Sequence, residues 1–249
     1  MLSKNKAAFI QSLALKKFRD EHQCFVAEGT RLISDIHQSF SCRMIVATHK
    51  WADEHSLPLA QEQITTDEKT FQRVSRQQQP QGILAVYEMR KINFNPKIAD
   101  TELVMALNNI QDPGNMGTLL RVADWFGIRQ VVCSHGTADV YNPKTVQATM
   151  GALARVDVHY LDLPQFLQTQ TNAPVYGTFL DGQSIYETPL STNGIIIMGN
   201  EGNGIAPEIE KLVTSKLLIP SFRLGEASSE SLNVGVAAAV ICSEFRRRN

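Results

Sequence analysis

The sequence predicts an α/β protein in two parts: a small N-terminal α/β unit, then a C-terminal unit built on a mostly parallel sheet covered on both faces. Three observations carry this. From residue 101 onward, short apolar runs alternate with stretches of helical periodicity, the pattern of strands joined by crossover helices. The run in "IIIMGNEGNGI", residues 195–205, stops at a glycine, as a buried parallel strand does when it ends in a tight loop. Between the two parts, "RKINFNPKIAD" carries charge, two asparagines and a proline without periodicity, which places a linker over 91–100. The boundaries are therefore 1–90, 91–100 and 101–249.

In chain order, Ser3 precedes "KNKAAFIQSLALKKFRDEH", in which Ile10, Leu13, Ala14 and Phe18 recur at helical spacing while the lysines and arginine fall mainly elsewhere. This is one amphipathic helix with a basic face. "FVAEGTRLISDIHQS" reads as a second helix, "MIVAT" as a strand, Thr66 to Arg73 as a polar helical stretch, and "QQQPQGILAVYEM" as a polar turn entering a strand. Beyond the linker, strands are predicted at "ELVMAL", "QVVCS", "VDVHY", "PVYGTFL", "GIIIM" and "KLLIP".

Composition narrows the function classes. A 249-residue chain that is 43% hydrophobic can bury substantial cores. No apolar run approaches a membrane span, and the first residues lack an apolar segment with a small-residue cleavage site, so the expectation is a cytoplasmic protein without a membrane. Cys24, Cys42, Cys133 and Cys242 form no C-x-x-C pair and the histidines no H-E-x-x-H, which points to reduced thiols and to no metal. A formal net charge of −1 argues against indiscriminate polyanion binding but allows local basic patches. The glycines Gly199, Gly202 and Gly204 read G-x-x-G-x-G, the wrong order for a dinucleotide fingerprint, and no G-x-x-x-x-G-K-[ST] phosphate loop exists. A nicotinamide oxidoreductase and a nucleotide triphosphatase both lose support.

Three motifs lie on loops that follow strands. In "NNIQDPGNMGTLLRVADWFGI", residues 108–128, Asp112, Pro113 and Gly114 make a turn and Asn115 is a natural helix cap. Met116, Leu119, Leu120, Ala123 and Phe126 form a buried stripe ended by Gly127, with Arg121 off that stripe. A helix start at a strand's carboxyl end, with an arginine further along, suits an anion; a cap plus a surface pair between Arg121 and Asp124 or Asp112 is the alternative. In the second motif Glu201 sits among glycines that let a backbone approach a ligand closely. In the third, "LLIPSFRLGEASSESLNVGVAAAVICSEFRRR", a helix starts at Ser231 or Asn233, and Gly235, Ala237, Ala238 and Ala239 permit close helix packing, within the domain or across a dimer. No G-x-S-x-G elbow supports Ser231 as a hydrolase nucleophile.

Taken together and in this order, N-x-x-x-D-P-x-N-x-G-x-x-x-R-x-A-x-x-F-G, M-G-N-E-G-x-G and I-P…S-L-N-V-x-V-A-A-A resemble the SpoU/TrmH family of RNA ribose 2′-O-methyltransferases, with "NPKTVQATMGAL" similar to the family's segment between the first two. The resemblance spans nearly the whole second part. It implies a C-terminal SPOUT methyltransferase domain threaded as a trefoil knot, an exception to the usual rule against knots. It also implies S-adenosyl-L-methionine as cofactor, bound by Gly199, Asn200, Gly204, Ile219 and Leu232. Asn115, Arg121, Glu201, Ser231 and Asn233 would form the reaction site, completed across a homodimer.

"FVAEGTRLISDI", residues 25–36, resembles the ribosomal-protein-like domain that precedes many ribosomal RNA members, so 1–90 is expected to bind RNA. Lys4, Lys6, Lys16, Lys17 and Arg19 would suit phosphate contacts, or equally a solvated helix face. The favoured partner is ribosomal RNA, with tRNA possible and DNA not expected; an inactive RNA-binding relative is the competing class. The familiar role of the Arg121 counterpart as base sits poorly with a group that keeps its proton, so Arg121 is expected to clamp a phosphate while Ser231 and Asn233 orient the hydroxyl. The loop "PSFRLGEASSE" is longer than the familiar form, with Ser221 where methionine is common, so cofactor contacts over 221–230 are left open.

Overall fold

A computed structural model describes residues 1–222 and 231–248. The chain divides into two compact units, Met1–Ile92 with Asp139–Ala154, and Asn93–Ala138 with Arg155–Asn249. The segment 139–154, which the sequence places inside 101–249, thus belongs with the N-terminal unit.

In that first unit the Ser3 side chain accepts from Lys6 N and starts α1 (Lys4–Ser12). The single helix expected here is broken: α2 (Lys16–His22) follows after Leu13–Leu15. Arg19 explains the break. It is 1% exposed, and its Nη1 donates to the Leu13 and Ala14 carbonyls at 2.9 and 2.8 Å, which a continued helix would have consumed. Its Nη2 pairs with Asp139 at 2.5 Å, so Arg19 leaves the expected basic face.

Next come β1 (Cys24–Glu28), α3 (Thr30–Ile36), β2 (Cys42–Thr48), α4 (His49–Glu54), β3 (Glu62–Thr66), α5 (Glu68–Val74) and β4 (Ile83–Glu88). The sheet order is β1-β4-β2-β3, with β2 and β3 parallel and the other pairs antiparallel. The helix expected over 25–39 begins only after Gly29, whose φ of +101° turns the chain; "CFVAE" before it is a strand buried at every position. A five-residue apolar run fits either element, and pairing with β4 decides it. One side of the sheet buries Ile10, Leu13, Val26, Val46, Phe71 and Leu84 in one core cluster. Tyr141, from the 139–154 segment, meets Phe25 at 4.8 Å between ring centres, and Phe25 also contacts Phe40 and Tyr87.

The C-terminal sequence continues with β5 (Leu103–Leu107), α6 (Pro113–Trp125), β6 (Gln130–Cys133), α7 (Pro143–Thr149), β7 (Asp157–Tyr160), α8 (Leu163–Gln168), β8 (Val175–Ser184), β9 (Gly194–Met198), α9 (Pro207–Glu210), β10 (Ser215–Leu218) and α10 (Val234–Arg247). Of these, α7 lies in the first unit. All six expected strands form. They make one parallel sheet of order β10-β8-β9-β5-β6-β7. Both β5 and β9 are buried at every position, as strands covered on two faces must be. From β5 the chain moves outward through β6 and β7, then returns on the other side, so the loops leaving β5 and β9 are neighbours at the strands' carboxyl ends. Open α/β sheets place their ligands at such a reversal.

Candidate active site at the ends of β5 and β9

The loop after β5 is held by its asparagines. Asn108, 3% exposed, donates its N–H to the Met198 carbonyl at 2.9 Å, and its Oδ1 accepts from Ala206 N at 2.8 Å, tying the β5 and β9 loops together. Asn109 adopts φ +55°, its carbonyl accepts from Asn200 Nδ2 at 2.8 Å, and its own N–H donates to Ser134 Oγ. From the sequence Asn108 entered only as the first position of a motif and Asn109 not at all, although an Asn-Asn pair at a strand end is a legible sign of a turn with one left-handed position.

The 199–204 loop folds around Asn200. Backbone hydrogen bonds run both ways between Asn200 and Gly204 at 2.9 Å, and Asn200 Oδ1 accepts from Gly202 N and Asn203 N at 2.9 and 3.0 Å. Gly199 has no room for a side chain, because a Cβ there would stand 2.5 Å from the Gly204 carbonyl carbon. Gly204, at φ +68°, borders open space. The Gly199, Asn200 and Gly204 backbones thus form a small loop with a bare glycine edge, and Glu201 projects exposed from it.

At α6 the cap is Asp112, whose side chain accepts from Asn115 N at 2.8 Å; Pro113 takes the first helical position. Asn115 is therefore not the cap expected from sequence but a first-turn residue with its carboxamide free for other work. Its Nδ2 donates to Glu201 Oε1 at 2.6 Å, and its Oδ1 accepts from Asn233 Nδ2 at 3.0 Å. Asn233 is the cap of α10, its Oδ1 accepting from Gly235 N at 3.0 Å and Val236 N at 3.4 Å. One continuous hydrogen-bonded chain, Glu201–Asn115–Asn233, joins all three sequence motifs across separations of 86 and 118 residues. Gly235 lets α10 approach α6: a Cβ there would meet Thr118 Cγ2 at 2.6 Å.

Arg121 is exposed on α6, six residues beyond Asn115. The surface pair weighed for it does not form: Asp124 is engaged bidentately by Arg155 at 2.7 to 3.0 Å, and Asp112 caps the helix. Among the described residues Arg121 has no ion pair. Ser231 is exposed just before α10 and Leu232 is half exposed. Ile219 is half-buried after β10, which β8 separates from β9. These four residues stand outside the hydrogen-bonded chain, and the part of the 221–230 loop from 223 onward lies outside the described residues.

Comparison with known proteins gives this geometry a family. The SpoU rRNA Methylase family matches residues 102–243, and an MRM3-like substrate binding domain matches residues 4–85. The chain belongs to the SpoU rRNA methylase family. It is 33% identical, over 95% of its length and 94% of the relative's, to the 23S rRNA (guanosine(2553)-2′-O)-methyltransferase RlmP of Bacillus subtilis. A structure from Porphyromonas gingivalis, assigned to the TrmH family of RNA methyltransferases, superposes with a TM-score of 0.89 at 43% identity over the whole of both chains. An rRNA methyltransferase from Sinorhizobium meliloti, solved with S-adenosylmethionine bound, superposes at 0.84 with 25% identity, covering 100% of this chain and 96% of that one. As a SpoU protein the chain is an RNA methyltransferase that uses S-adenosylmethionine.

Proposed function

We propose that this chain transfers a methyl group from S-adenosylmethionine to the 2′-hydroxyl of a ribose in ribosomal RNA. The observation that carries the proposal is the Glu201–Asn115–Asn233 chain, which brings the three motifs to one place at the carboxyl ends of β5 and β9. The loop fits the cofactor in its chemistry: Gly199 lets the loop close on itself, Gly204 borders open space and leaves a backbone edge without a side chain, and Glu201 supplies negative charge beside it. Gly199, Asn200, Gly204, Ile219 and Leu232 are the residues proposed to hold it. When bound, S-adenosylmethionine supplies a methyl group on a positively charged sulfur.

A ribose hydroxyl is a weak nucleophile until its proton is removed or polarised, so this chain's task is placement and electrostatics. Arg121, unpaired among the described residues and exposed, is assigned to grip the neighbouring phosphate with its planar fork and to offset the negative charge that develops on the 2′-oxygen. Asn233 has its Oδ1 committed to capping α10 and one Nδ2 hydrogen to Asn115, so it acts on the substrate through the remaining Nδ2 hydrogen, with Ser231 two residues before it in the chain. Glu201 holds Asn115, and Asn115 holds Asn233, which fixes the start of α10.

The N-terminal unit is proposed to bind the RNA. The same proposal includes the trefoil threading, a cytoplasmic setting and a homodimer that completes the site. Support for the dimer comes from Trp125 on α6, 85% exposed, and Val236 on α10, 51% exposed, on two helices that pack together; Trp125→Lys should yield monomers in light scattering, and an unchanged mass would remove this face from the interface. Transfer of labelled methyl to unmodified ribosomal RNA and to tRNA, with Arg121→Lys beside the wild type, tests the function. Label on ribosomal RNA is expected, with most turnover lost in Arg121→Lys while cofactor binding persists. Label on tRNA alone would overturn the substrate, and full turnover in Arg121→Lys would overturn the clamp.

A further inference from the structure

A cleft of about 600 Å³ opens in the N-terminal unit, within the roughly 300–1,000 Å³ range that admits small-molecule-sized groups. One wall is the turn before β4, with Arg76, Gln77 and Gln79; the other is α7, with Lys144 and Gln147; Glu28 lies at its base. The first wall falls in the stretch matched by the substrate-binding domain and the second in the stretch matched by the methylase family.

The polar groups of the cleft divide into those used and those left over. Glu28 is 6% exposed, and its carboxylate accepts from Ser75 Oγ at 2.5 Å and Arg76 N at 2.8 Å. Its charge is therefore met by the protein, and it fixes the turn. Gln77 Nε2 donates to the Glu28 carbonyl at 3.3 Å and to Gln147 Oε1 at 3.2 Å, which ties the two walls together. Arg76 spends one N–H on the Gln11 carbonyl. The side chains of Lys144 and Gln79 have no hydrogen-bond or ion-pair partner among the described residues. What the cleft offers is thus two cations and unspent carboxamide capacity, with no aromatic ring in its lining.

A carboxamide presents a donor and an acceptor side by side, which matches the edge of a nucleobase, and a cation matches phosphate. An acidic peptide would satisfy the cations and leave that paired match unused. We propose that this cleft holds an unpaired nucleotide of the substrate RNA, distinct from the one methylated, with its base edge on the glutamine carboxamides and its phosphate on Lys144 and Arg76. Protein recognition of RNA sequence works mainly on such unpaired nucleotides. The inference rests on the RNA methylation proposed above.

The test is the double variant Gln79→Ala with Lys144→Ala in the full-length protein, both positions being exposed and outside the reaction site. Two readouts keep the failures separate: direct binding of unmodified ribosomal RNA by filter retention, and steady-state methylation. Binding should weaken, and KM for RNA rise, roughly tenfold, with kcat and S-adenosylmethionine affinity near wild type, and the salt dependence of binding should be shallower by about one phosphate contact. RNA binding and KM equal to wild type would overturn the proposal. So would a variant that binds naked RNA normally but fails only on ribosomal particles, because the cleft would then meet a protein. Should the wild type methylate no RNA, the methylation reading fails, while the binding readout still decides whether the cleft takes RNA.

Discussion

At Arg19 a guanidinium sits almost wholly out of water, stabilised by Asp139 and by two carbonyls at the end of α1. Removing one partner of such a pair leaves the other charge poorly solvated and typically costs several kcal/mol. Arg19→Met should lower unfolding stability by about 3 kcal/mol in urea denaturation; a loss indistinguishable from zero would mean the pair contributes nothing net. Asn115 invites a sharper comparison. Asn115→Ala deletes both links of the Glu201–Asn115–Asn233 chain, whereas Asn115→Asp also sets a carboxylate against Glu201. Turnover should fall about a hundredfold in the first and further in the second, with RNA binding retained; equal activity in all three proteins would show that the chain has no catalytic bearing. Sequence alone marked Asn115 both as the helix cap and as a reaction-site residue, and the structure gives the cap to Asp112. Asp112 and Asn115 are both good caps, and only Pro113 at the first helical position shows which one the helix uses.

Secondary-structure elements show where pattern carries information and where it does not. All six strands of the parallel sheet are legible because each is a short apolar run bounded by polar turns. Strand β1 is not, since its five residues fit a helix as well, and β3 is not because "EQITT" buries only Ile64 and Thr66 at the sheet edge. Helix α10 meets α6 so closely that Gly235 is required: Gly235→Ala should cost about 1–3 kcal/mol by overpacking, and Thr118→Ser, which removes the methyl group in the way, should restore most of it. Absence of rescue would place the strain elsewhere. At the other end of α10, Glu244 accepts from Arg247 at 2.7 and 2.8 Å and from Arg248 at 2.6 Å, and Arg248 also donates to the Thr188 and Ile185 carbonyls. The Arg247 hydrogen bonds first, then Arg248, hold this carboxyl at about 2 against an ordinary 4.5. A lowered carboxylate stabilises the fold above its unfolded value, and that stabilisation disappears as pH falls from 4.5 toward 2. Glu244→Gln should therefore be less stable than wild type at neutral pH, with the gap closing over that window; a gap independent of pH would contradict the pairing.

Over the whole molecule, the least legible feature is membership of 139–154 in the N-terminal unit. The contacts that decide it, Arg19 with Asp139 and Phe25 with Tyr141, join positions more than a hundred residues apart, and no local periodicity encodes such a meeting. The order of the three motifs along the chain, by contrast, was readable, because each follows a strand and a parallel sheet sets the carboxyl ends of its strands on one side. Which atom receives the methyl group is decided by alkaline digestion of labelled ribosomal RNA. Cleavage by base needs a free 2′-hydroxyl, so a 2′-O-methyl group leaves its own linkage intact. The label should appear in alkali-stable dinucleotides and disappear with Arg121→Ala; label recovered in mononucleotides would place the methyl group on a base and refute ribose methylation.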